Sequence, residues 1–103
     1  MEVDKKRRVF APNIFTPNGD GENDIFVIYG GEGVSKVLSL KLYNREGAEV
    51  FKKENFLPND PNFGWDGTFR TFAQQPQVFM WVAEMQFLDG AVLQFTGDTM
   101  LLR

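Results

Sequence analysis

The densest grouping of chemically able side chains is Asn18-Gly19-Asp20-Gly21-Glu22-Asn23-Asp24. Three carboxylates and two amides share this short run with no cation among them. Hard oxygen donors at such density suit calcium, and like charges this close call for a counter-ion or free solvation. Asn18, Asp20, Glu22, Asn23 and Asp24 are the candidate ligands. The spacing departs from the EF-hand register, because glycines interleave with Asn18 and Asp20 instead of following the third ligand. A second reading stays open. Glycine admits left-handed backbone angles, and Asn and Asp bond the amides that follow them, so the same residues also build a tight, self-bonded turn.

Catalytic chemistry finds little elsewhere. The chain has no histidine and no cysteine, which removes the commonest general base, the thiolate nucleophile and the thiolate zinc site. Ser35 and Ser39 sit in no nucleophile elbow and have no recognisable base. No carboxylate pair is patterned as acid and base across a cleft, and no glycine-rich phosphate loop leads into a helix. These residues exclude the usual enzyme classes. A net charge of -3 argues against general nucleic-acid binding. The one basic run, Lys5-Lys6-Arg7-Arg8, reads as a solvated linker over residues 1–8. No apolar run approaches the roughly 18 residues of a membrane span. Met1-Glu2-Val3-Asp4 reads as the start of a fragment, with any leader lying upstream.

What must position the acidic loop is a β scaffold. With 103 residues, 43% hydrophobic and 15% aromatic, the chain suffices for one packed domain, expected over residues 9–103 and as a monomer. Val9 to Phe15 is expected as a first strand, with Pro12 at a sheet edge or bulge. Ile25 to Tyr29 is the second, closed by Gly30-Gly31-Glu32-Gly33. In Val37 to Tyr43, Leu38, Leu40 and Leu42 share one face. Asn44-Arg45-Glu46-Gly47 suits a type I turn with a left-handed closing glycine, and Ala48 to Lys52 returns as the hairpin partner. Gly64-Trp65-Asp66-Gly67-Thr68 reads as a short strand broken by a turn. Phe79, Trp81, Ala83, Met85 and Phe87 make one apolar face, Asp89-Gly90 is a two-residue hairpin signal, and Ala91 to Thr96 pairs back. Gly97-Asp98 is expected to turn again, before a last strand from Thr99 to Arg103. No stretch has a helical period. About seven short strands at this spacing predict an all-β, immunoglobulin-like antiparallel sandwich with Trp65, Trp81 and most phenylalanines inside.

Four motifs in order resemble a known family. Asn13 to Asp24 is similar to the opening signature of gliding-motility-associated C-terminal domains, the type B sorting domains of the type IX secretion system. Leu42 to Gly47 with Val50-Phe51, then Trp65-Asp66-Gly67-Thr68, then Gly97 to Arg103 follow, so that the resemblance covers nearly the whole chain from Val9. Two positions depart from the pattern. Glu46 stands where the family has an aromatic, commonly Trp, and Gln77 stands where it tends to have Gly. The resemblance implies an export address, with no chemistry of its own, at the end of large surface or secreted proteins of Bacteroidota-type bacteria. Such domains are read folded as cargo leaves the periplasm and crosses the outer membrane, with help from a PorP/SprF-type outer-membrane protein. The loop residues Asn18, Asp20 and Asp24, the turn residues Asn44, Arg45 and Gly47, then Trp65, Asp66, Gly67, and Leu101, Leu102 and Arg103 become the candidate partner contacts. Against that, Asp66 has a plain role as a turn cap and Arg45 as a solvated or locally paired cation. Two other classes fit the residues: a calcium-stabilised adhesion or carbohydrate-binding module using surface aromatics such as Trp65, and an immunoglobulin-like spacer.

Overall fold

A computed structural model describes residues 9–17, 24–69 and 72–102. Within them the elements in chain order are β1 (Val9–Phe10), β2 (Ile14–Phe15), β3 (Tyr29–Gly30), β4 (Val34–Tyr43), β5 (Glu49–Phe56), β6 (Thr68–Phe69), β7 (Phe72–Ala73), β8 (Gln77–Phe87) and β9 (Val92–Leu101), with one 3-10 turn at Pro61–Phe63. The all-β expectation holds. The four long strands and β2 form one sheet in the order β2-β9-β8-β4-β5. Against its inner face lies a thinner layer built from the β1–β3 ribbon and a single bridge between Phe26 and Trp65.

Alternation sets the inner face. In β8, Phe79, Trp81, Ala83, Met85 and Phe87 are buried while Val78, Met80 and Glu84 are exposed, as a strand covered on one side requires. In β4 the expected Leu38 does not join Leu40 and Leu42. The pairing with β8 slips between Val37 and Ser39, so a bulge reverses the parity and Val37 takes the core position.

The hairpins β4–β5 and β8–β9 each close on a glycine with positive φ. Asn44-Arg45-Glu46-Gly47 ends on Gly47 at φ 88, with the Gly47 amide donating to the Asn44 carbonyl at 3.0 Å. The second hairpin differs from the expected two-residue turn. Phe87 and Ala91 are its closing residues, with the Phe87 amide 2.8 Å from the Ala91 oxygen. Three residues, Leu88 to Gly90, therefore make the loop. A two-residue turn of the Asp-Gly kind needs positive φ at both positions, and only Gly90 has it, at 89.

β9 also runs straight where a turn was expected. Gly97 pairs with Trp81 inside the ladder, and a Cβ there would stand 2.8 Å from the Trp81 indole. The glycine makes room for a ring. At the N-terminal side the expected first strand divides at Pro12, which cannot donate to a ladder. β1 pairs antiparallel with β3 in the thin layer, and β2 pairs parallel with β9 in the main sheet. The expected second strand shrinks to the Phe26 bridge and β3, whose far edge Asn59 closes. The Asn59 side chain exchanges two 3.2 Å bonds with Gly30, while its amide donates to the Ile28 carbonyl at 3.0 Å.

Trp65 joins the layers. Its ring lies 4.9 Å from Phe79 and 5.5 Å from Phe15 between centroids, and its backbone exchanges both bonds with Phe26, at 2.8 and 3.0 Å. The indole N–H is satisfied by the Thr68 carbonyl at 2.7 Å.

Two substitutions test this packing through the denaturant midpoint. Gly97→Ala pushes a methyl into the Trp81 ring and is expected to cost about 1–3 kcal/mol, as overpacked cores do. Thr99 is 1% exposed and its hydroxyl has no hydrogen-bond partner among the described residues. A buried unpaired hydroxyl carries a desolvation penalty, so Thr99→Val is expected to be neutral or to stabilise by about 1 kcal/mol. A clear loss there would show that the hydroxyl has a partner.

Candidate functional site

The candidate residues sort into those that shape the core and those that the surface displays. Trp65 at 1% exposure and Leu101 at 0% belong to the first group. Neither side chain can touch a partner of the native domain, and Trp65 offers no platform for a sugar ring, which corrects the expectation that both are contacts. Gly67 is likewise buried, at φ 85. Asn18, Asp20, Glu22, Asn23 and Arg103 lie outside the described residues. Asp24 is half-buried. Among the described residues no three acidic side chains gather as a metal site would require.

The displayed residues are held by local bonds. Asn44 Oδ1 accepts from the amides of Glu46 at 3.1 Å and Ala48 at 2.9 Å, so its side chain fixes the turn from inside. Arg45 and Glu46 project from that turn, 3.7 Å apart and mostly exposed. Such a pair is screened by water and leaves the guanidinium available. Asp66 Oδ1 accepts from the Thr68 amide at 3.0 Å and from the Thr68 hydroxyl at 2.6 Å, which makes it a turn cap. Leu102 is exposed, and its amide donates to the Phe15 carbonyl at 3.0 Å.

Register shows which of these lie together. Leu101 is level with both Phe15 and Gln77, Met100 with Val78, and Met80 with Tyr43. Three elements therefore share one end of the sheet: the segment entering the acidic loop after Phe15, the Asn44–Gly47 turn, and the end of β9. The chain comes in from the other end. Val9 pairs with Gly30, and nearby Gly33 accepts from Leu88 of the opposite hairpin turn at 2.8 Å.

One feature of the surface carries no motif. β9 pairs outward with only two residues of β2, so most of its outer edge has no ladder partner among the described residues. The sequence holds a faint trace of it, since Ala91 to Leu102 contains a single charged residue, Asp98. A shallow groove of about 340 Å³ also opens on the outer face, lined by Ser39, Lys41, Lys52, Glu54 and Glu84 among others. Lys52 and Glu54 are paired at 3.3 Å, so its charges answer one another.

Fold and surface together define an all-β module with turns and strand ends displayed at one end of its main sheet. The family model of the CHU_C type IX secretion signal domain matches residues 9–91. The chain belongs to that family, and its role is that of a secretion signal acting with the type IX machinery. No curated protein and no solved structure gives a match.

The turn can be tested apart from what it displays. Asn44→Ala removes an acceptor of two amides and is expected to lower stability by about 1–2 kcal/mol, whereas Arg45→Ala should stay within about 0.5 kcal/mol. Thermal melts of the two variants check this, and equal losses would mean that Arg45 is structural.

Proposed function

We propose that the domain is an export address that directs a cargo protein across the outer membrane and is recognised after it has folded. The observation that carries this reading is the gathering of the loop entry, the Asn44–Gly47 turn and the end of β9 at one end of the sheet. Phe15, Trp65 and Leu101, which anchor three of the four motifs, are buried. They form the core of a scaffold, and a reader of the native surface meets only what that scaffold holds in place. Arg45, Glu46, Asp66 and Leu102 are among the exposed members of the motifs. A PorP/SprF-type outer-membrane protein is the proposed receptor, and the cell surface or the medium is the proposed destination.

A fusion of this domain to the C-terminus of a periplasmic reporter, expressed in a type IX-competent host, is expected to reach the cell exterior. Trp65→Ala should abolish export, because losing a buried Trp costs about 3–5 kcal/mol and a domain of this size has little more in reserve. Arg45→Ala with Glu46→Ala should reduce export while the melting temperature holds. If the Trp65→Ala fusion is unfolded and still exported, recognition of a folded module is refuted.

A further inference from the structure

Among the described residues, none pairs with the outer edge of β9 from Val92 to Asp98. Met100 and Leu102 point their amides outward, to the carbonyls of Asn13 at 2.7 Å and Phe15 at 3.0 Å. Alternation places the N–H and C=O groups of Val92, Gln94, Thr96 and Asp98 on that same side. β2 pairs only from Ile14 onward, while β1 has crossed to the other layer to pair with β3. Over Val92–Asp98, ladder pairing among the described residues is with β8 alone.

The sheet's other edge is guarded and this one is not. β5 carries Glu49, Lys52, Lys53 and Glu54, and Asn55 with φ 54 interrupts its extended backbone. Charges and local distortions are the means by which natural edges avoid pairing. β9 over Val92–Asp98 has one charge, no proline and an unbroken register with β8. It also has an uncovered apolar shelf. Leu93 is 40% exposed, and Phe95 is only partly buried, its ring 6.3 Å from Phe87.

We propose that a β-strand of the type IX machinery adds to this edge, so that the folded domain is captured by main-chain pairing. The proposal rests on the export role proposed above. The edge also defines the chemistry of the occupant. Its strand is extended, carries apolar side chains beside Leu93 and Phe95, and has a Lys or Arg facing the exposed Asp98. A second copy of this chain fits less well. β2 closes the lane beyond Asp98, so two such edges would share only the short Val92–Asp98 stretch, too little to approach the roughly 1,000 Å² that a stable interface needs. A larger partner can add contacts at the neighbouring end of β9.

The test uses the reporter fusion. Gln94→Pro removes an amide that faces the open edge and leaves the β8 ladder intact, as edge prolines do; Gln94→Lys adds an edge charge and removes no backbone donor. Both are expected to cut export about tenfold with the melting temperature held within a few degrees, while Glu54→Lys on β5 exports like the parent. Should Gln94→Pro unfold, Gln94→Lys decides. A photo-crosslinking side chain in Thr96→p-benzoylphenylalanine is expected to give an adduct with a type IX component. Export of the Lys variant at the parent level, or an adduct only with a second copy, overturns strand addition. Failure of the parent fusion itself to leave the cell overturns the export role instead.

Discussion

The contact on which the rest depends is the seating of the Trp65 indole between the layers. It meets Phe15 of β2, Phe79 of β8 and Phe51 of β5, the last at 6.4 Å. Its backbone is at the same time the only β-bridge to Phe26 outside the named strands of the described residues. Outside the main sheet the described residues otherwise pair only in two short ribbons, β1–β3 and β6–β7, with too little main-chain pairing to hold a layer together. One ring therefore does for this layer what a second full sheet does in a conventional sandwich. The Thr68 carbonyl satisfies the indole N–H, so the burial leaves no polar debt.

That dependence links the motifs to recognition. Residues that look like a surface signature in one dimension are divided by the fold into anchors and displayed tips. Phe15 is an anchor, and the segment after it is displayed. Trp65 is an anchor, while Asp66 caps a turn beside it. Leu101 is an anchor and Leu102 a tip. The alternation of a strand produces this division automatically, because adjacent residues face opposite sides. Read this way, the motifs position the surface more than they constitute it.

Much of this was legible in the sequence, for local reasons. The β8 face and the Asn44–Gly47 turn follow from period-two alternation and from a glycine at a left-handed position, and both lie in contiguous residues. What stayed hidden depends on partners distant in sequence. Gly97-Asp98 resembles a turn because its Trp81 partner is invisible in one dimension. Leu38 looked equivalent to Leu40 because a bulge is set by the neighbouring strand. The split at Pro12 was half visible: the proline marked an edge, but not the transfer of the chain between layers. The open edge of β9 left the weakest trace, since a row of unpaired backbone groups has no side-chain signature. The family resemblance came from motifs spread along the chain and found its match over residues 9–91.

The parallel course of β2 and β9 gives the molecule a front and a back. Traced upstream from Ile14, the polypeptide runs towards the Leu88–Gly90 corner, whereas β9 finishes at the far pole beside the Asn44–Gly47 corner. Val9 therefore enters at the rear of the molecule, at the end of the sheet opposite the one where β9 finishes. Under the proposed export role, that separation keeps the point of entry of the chain away from the pole offered to the machinery.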